Sequence, residues 1–143
     1  MLRRPSPHPC RRETPATPES SGPRLQARPQ PPPAPVVREP VLSAASRALV
    51  SQAQIQLQSK NYPVAASSIE RALRIEPDNP LLWIELGKVR QAEGNYVQAE
   101  NMAARSNSWA GDDRSLRAEN WRIIAEARRA RGDADGAKAA LDQ

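Results

Sequence analysis

The chain has 143 residues, with 21 basic and 16 acidic side chains, one cysteine and one histidine, which excludes an intramolecular disulfide and a thiolate metal cage. Residues 1–40 hold 12 of the 15 prolines together with seven Arg, no Lys and three Glu, so most of the formal net charge of +5 belongs to that stretch. The remaining residues carry 14 basic and 13 acidic groups, a balance that disfavours a strongly basic nucleic-acid-binding domain.

Residues 1–40 read as a disordered Pro/Arg-rich tail. Proline has no backbone donor and biases the preceding residue toward extended conformations, so no packed element is expected there. The run Pro29-Gln30-Pro31-Pro32-Pro33-Ala34-Pro35 favours polyproline II, and the segment is first a tether. Pro32 and Pro35 have the spacing of a proline-recognition motif, an alternative use shared by any proline cluster this dense. Arg3, Arg4, Arg11 and Arg12 offer a weak anionic-surface or RNA contact without interleaved aromatics. His8 and Cys10 lack the rigid placement that a base and a nucleophile need. Met1-Leu2-Arg3-Arg4 is followed by prolines rather than an apolar core, and nowhere is there a run of about 18 apolar residues. On these grounds the chain reads as cytoplasmic.

From Ser43 onward the composition turns to Ala, Leu, Gln, Glu and Arg, with apolar residues three and four apart, which predicts helices. The first spans about Ser43 to Ser59 and is interrupted at Lys60-Asn61. The second spans about Tyr62 to Ile75, with Ala65, Ile69, Ala72 and Leu73 inward and Pro63 in the tolerant first turn. Glu76-Pro77-Asp78-Asn79-Pro80 ends it; Asn79 is placed to cap a third helix whose first residue is Pro80. That helix runs to about Glu93, Gly94-Asn95 turns the chain, and a fourth spans about Tyr96 to Ser106.

The two pairs repeat at an offset of 34 residues, with Leu49 returning as Trp83, Asn61-Tyr62 as Asn95-Tyr96 and Ala65 as Ala99. An incomplete third copy follows at 38 residues, placing Trp121, Gly132-Asp133 and Ala137, with the four extra residues between Ser108 and Arg117. One pair cannot cover its own apolar flank, but stacked pairs cover one another. Small residues Ala53, Gly87 and Ala125, with Ala65, Ala99 and Ala137 opposite, let helix axes approach closely. Trp83 and Trp121 supply large surfaces between pairs.

Trp83-x2-Leu86-Gly87 with Gly94-x-Tyr96-x2-Ala99 resembles the tetratricopeptide repeat motif, as do Tyr62-x2-Ala65-x6-Ala72-x4-Pro77 and Trp121-x2-Ile124-Ala125-x6-Gly132-x4-Ala137. The resemblance covers residues 46–143, in repeats of about 46–79, 80–113 and 118–143, the last incomplete. It implies an all-α fold of antiparallel helix pairs stacked as a short right-handed superhelix. Arg90, Ala103 and Ser106 stand where the family carries larger packing residues, which predicts weaker local packing.

Such a stack curves, and its concave face is expected to present Arg47, Val50, Gln54, Leu57 and Gln58, then Leu81, Ile84, Lys88 and Gln91, then Glu119, Arg122, Glu126 and Arg129. Leu57, Leu81 and Ile84, flanked by Lys88 and Arg122, either accept a peptide or partner helix or simply close the stack. The chaperone-binding subclass of the family holds a terminal carboxylate with Lys, Asn and Arg; here Val50, Gln54 and Glu85 stand where that set begins, against this subclass. Asp112 and Asp113 read as caps of the following helix, and the loop from Gly132 to Gly136 is too short for calcium.

The chain therefore reads as a non-enzymatic adaptor that needs no metal or cofactor and binds another protein. A structural subunit of a larger assembly and a tail-driven anionic-surface or RNA binder are the alternatives. The family also includes small bacterial envelope proteins behind proline-rich spacers, and Ser20-Ser21-Gly22-Pro23 onward resembles such a spacer, which places the chain in the envelope if its native start differs. With many core positions held by alanine, the short helix after Asp133 is expected to fray first. Amide hydrogen exchange should be fastest there, and uniformly slow exchange through residue 143 would refute that expectation.

Overall fold

A computed structural model describes residues 39–143, in which six helices follow one another: α1 (Ala44–Gln58), α2 (Tyr62–Ile75), α3 (Pro80–Ala92), α4 (Tyr96–Trp109), α5 (Arg114–Ala130) and α6 (Ala134–Leu141). No strand occurs among the described residues. The tether, the Pro32 and Pro35 spacing, the arginine cluster and the pair His8 and Cys10 lie outside them.

Helix starts have local causes. Side-chain oxygens of Ser43, Asn79, Asn95, Asp113 and Asp133 accept from amides of Ser46, Leu81, Gln98, Leu116 and Gly136, relieving donors that have no intrahelical partner. At α2 the N-cap Asn61 makes no such bond, and Pro63 removes one of the amides that would need a partner. Within each pair the turn is the same. Asn61, Asn95 and Asp133 donate their amides to the carbonyls of Gln56, Arg90 and Arg128, each at 2.8 Å, behind a residue of positive φ. Gly94 (φ 83°) and Gly132 (φ 86°) occupy that position in the second and third pairs, whereas the first pair has Lys60 at φ 60°.

Two apolar clusters run through the stack. Val50, Ala53, Ala65, Ile69, Ala72, Leu82, Leu86 and Val89 form the first, with Leu49, Leu57, Tyr62 and Trp83 packed on its margin. Ile84, Ala99, Ala103, Leu116, Ile124, Ala125, Ala137 and Ala140 belong to the second, with Leu81 and Trp121 against it. Helix α3 contributes to both, so it is covered on two flanks. At Gly87 a Cβ would sit 3.4 Å from the Cβ of Met102 and 3.5 Å from the carbonyl of Ala99, already at contact, so a side chain longer than alanine would push α3 and α4 apart.

Several expectations are corrected. Val50 and Ile84, expected on the concave face, are 7% and 2% exposed. Val50 lies on the α1 stripe of Ser46, Val50 and Ala53 that closes onto neighbouring helices, and Ile84 is on the flank of α3 that the second cluster covers. Helix α4 runs to Trp109, past Ser106. Helix α5 begins at Arg114, four residues before the expected third repeat, so most of the extra length becomes a helical turn. Pro77, Gly94 and Gly132 are exposed, in the connections between helices where the motif places them. Tyr96 is half-buried and belongs to neither cluster.

Ser106 is a polar anchor rather than a gap. Its hydroxyl donates to the carbonyl of Pro80 at 2.8 Å and accepts from Asn120 Nδ2 at 2.8 Å, joining α3, α4 and α5 in a buried network. Asn120 Nδ2 also reaches Asn107 Oδ1 at 3.0 Å. Arg90 crosses from α3 to Glu70 of α2 at 3.4 Å and pairs with Glu93 at 2.9 Å, replacing a large apolar contact with ion pairs. Ahead of α1, Glu76 accepts from the hydroxyl and amide of Ser43, and Asn79 donates to the carbonyl of Val41, tying the loop after α2 to the segment that enters the domain. The hydroxyls of Ser46 and Ser43 hold the Glu76 carboxyl below its usual pKa and desolvation opposes them; Ser43 and Asn79 bond to it directly, whereas Ser46 Oγ is buried without a hydrogen-bond partner among the described residues.

A side chain with a Cβ is strained in the left-handed region, and Lys60 is exposed with nothing to lose by truncation. Lys60→Gly should therefore stabilise the domain by roughly 0.5–1 kcal/mol in urea denaturation, whereas the same change in a helix interior costs about that much.

Candidate protein-binding face

The contacts between helices determine which way the stack curves. Helix α1 touches α3 and α3 touches α5, but α2 and α4 do not touch, nor do α4 and α6. The first helix of each pair therefore lies closer to its counterpart than the second does, and the α1–α3–α5 side is concave.

Along this side Arg47, Gln54 and Gln58 of α1 are exposed, as are Arg122, Glu126 and Arg129 of α5. Leu57, Leu81, Lys88, Gln91 and Glu119 are half-buried. Leu57 and Leu81 rest against the two clusters, so the apolar strip expected from Leu57, Leu81 and Ile84 mostly closes the stack. What faces solvent is polar.

Two of the polar groups bridge helices. Lys88 Nζ lies 3.3 Å from Glu85 and 3.1 Å from Glu119, bridging α3 to α5, and Gln91 Nε2 donates to Glu126 Oε1 at 2.6 Å. Lys88 was expected to orient an incoming carboxylate; here two carboxylates of the same domain occupy its ammonium. Burial pulls its pKa down, but the charges and hydrogen bonds of Glu85 and Glu119 outweigh burial and leave it above the ordinary lysine value. Behind the face, Glu100 of α4 receives Arg128 and Arg131 at 2.8 Å each, fixing α5 against its neighbour.

One feature of this end escaped the sequence reading. Arg114, Arg117, Ala118, Trp121 and Arg122 have the i, i+3, i+4, i+7, i+8 spacing of a single helix face, and with Leu141 of α6 they line a hollow of about 600 Å³. The signal was present in the spacing, but it emerges only once residues 114–117 are helical. No group of three or more His, Cys, Asp or Glu side chains among the described residues is arranged to hold a metal.

Stacked antiparallel helix pairs of this kind, with capped turns at fixed intervals and one inner helix per pair, define a helical-repeat module. The tetratricopeptide repeat profile matches residues 56–119. The globular C-terminal domain of LpoP from P. aeruginosa is similar at 39% identity and a TM-score of 0.69, covering 71% of this chain and 96% of that domain. The chain belongs to the tetratricopeptide repeat family, whose domains generally bind other proteins. The Sgt2 repeat domain from Aspergillus fumigatus has the same fold at 24% identity and a TM-score of 0.63, over 71% of this chain and 65% of that one. No curated protein matches the chain. No helix among the described residues is long and apolar enough to cross a membrane.

Because the folded-state pKa of Lys88 lies above the unfolded value near 10.5, its ion pairs stabilise the fold fully below that pH and are lost as pH rises through the raised pKa. The stability difference between the wild type and Lys88→Gln should accordingly be constant from neutral pH to about pH 10 and shrink above it in alkaline melts. At this half-exposed site the difference should be under about 1 kcal/mol.

Proposed function

We propose that the chain is a non-enzymatic adaptor whose concave α1–α3–α5 face holds a peptide or helix of another protein. The observation that carries this reading is the curvature itself: the inner helices touch one another and the outer ones do not, which leaves one recessed surface spanning all three repeats. Arg47, Gln54, Gln58, Gln91, Arg122, Glu126 and Arg129 form its accessible part. With both signs of charge present and the apolar strip largely internal, recognition there rests on hydrogen bonds and matched charges more than on a hydrophobic trough. Lys88 keeps α3 and α5 at a fixed separation, a positioning role rather than a contact role.

A second reading concerns place. The similarity to a bacterial domain of nearly the same extent, itself the C-terminal part of its protein, favours an envelope-associated module carried on the Pro-rich segment. N-terminal mass spectrometry on separated cell fractions distinguishes this from a cytoplasmic chain beginning at Met1.

Photo-crosslinking residues placed in vivo at Gln54 and Arg129, both exposed on the inner helices, should give a discrete protein adduct. The same probe at Ser67, exposed on α2, should give none. Adducts of equal yield from Ser67 would remove the concave face as the main contact surface.

A further inference from the structure

The end of the stack formed by α5 and α6 differs in character from the concave face. There Arg114, Arg117 and Arg122 surround a hollow of about 600 Å³ that also receives half-buried Trp121 and exposed Leu141. None of the three arginines forms an ion pair with a carboxylate among the described residues, whereas Arg90, Arg128 and Arg131 all do. Among the described residues Arg117 donates only to the backbone carbonyl of Asn107, at 3.3 Å. Glu119 faces Lys88 and Asp113 caps the Leu116 amide, while Glu39, Asp112 and Asp113 line an adjoining hollow with Arg114 and Arg117 without an ion pair to either.

Arg114 and Arg117 stand in the first turn of α5, directly after the N-cap Asp113. Three arginines without an ion pair, set around a concavity with an indole in its wall, are complementary to a ligand that carries both negative charge and apolar area.

We infer that this hollow is a second docking site, and that its occupant is an acidic segment of a protein partner carrying one large apolar side chain. The apolar side chain packs against Trp121 and Leu141, while flanking carboxylates take the planar forks of Arg114 and Arg122 in bidentate pairs. A polyanion fits less well. Residues 41–143 hold 14 basic against 13 acidic groups and so lack the extended positive field that nucleic acid needs, and three cations around an apolar floor select for mixed chemistry. The site shares Arg122 with the concave face but otherwise uses the start of α5 and the end of α6, and it stands whether or not that face binds.

A random peptide library displayed on phage and selected against the full chain tests the inference. Enriched peptides should carry two or more Asp or Glu residues around a Leu, Phe or Trp. By fluorescence anisotropy they should bind wild type and Arg129→Glu alike, and bind Arg114→Glu/Arg122→Glu about tenfold or more weakly, as expected for lost charge-assisted pairs. Leu141→Asp should weaken them as well. If the glutamate pair alters the circular-dichroism melt, Arg114→Gln/Arg122→Gln gives the same readout. Absence of acidic enrichment, unchanged binding by the double variant, or loss of binding in Arg129→Glu instead would overturn the inference. So would displacement of the peptides by heparin or by phosphatidylglycerol vesicles at equal affinity, which would mark a general anion surface.

Discussion

Helix α3 has to be covered on two sides at once, and the remainder of the domain is arranged around that requirement. Leu82, Leu86 and Val89 enter the cluster built with α1 and α2, while Ile84 enters the one built with α4, α5 and α6. Neither helix pair could bury these residues alone. The cover works because Gly87, Ala99 and Ala103 allow α3 and α4 to approach until backbone and Cβ atoms touch, which substitutes close packing for large side chains. A chain without phenylalanine can hold a core in this way, provided each pair has neighbours.

Polar groups supply the specificity that alanine cannot. Alanine surfaces slide past one another with little change in contact, so register needs other anchors. Ser106 and Asn120 Nδ2 fix α4 and α5 to the carbonyl that opens α3, and an alignment that broke these bonds would leave them buried and unpaired, as Asn120 Oδ1 already is. Arg90 to Glu70, Lys88 to Glu119 and Glu100 to Arg128 and Arg131 repeat the theme at the surface, each linking two helices. Such exposed pairs add little stability individually. Their effect on recognition is larger: at the centre of the inner face Lys88 and Glu119 meet a partner already matched, while the arginines toward the α5–α6 end form no ion pair among the described residues.

The departures from the repeat pattern have distinct physical meanings. Replacement of a packing residue by Ser106 exchanges dispersion for a hydrogen bond across three helices. Replacement by Arg90 exchanges it for two ion pairs over a half-buried stem. The four-residue offset before the third copy becomes an added turn of α5 and brings Arg114 and Arg117 onto the face of Trp121. In that position the change creates a surface that the first two repeats lack.

Sequence alone determined the helices and their order, because caps, Pro at helix starts and residues of positive φ act within a few positions of one another. The period of 34 residues and the motif around Trp83, Gly87 and Ala99 made the pairing of those helices legible as well. What it could not decide was which flank of each helix meets water. Val50 and Ile84 have the spacing of exposed inner-face residues, yet the neighbouring pair closes over them, and only the distance between helix axes settles that competition. The same holds for Lys88 and for the arginines of α5: helical spacing places a charge on a face, but whether a carboxylate from another repeat lies within reach depends on how the pairs are stacked.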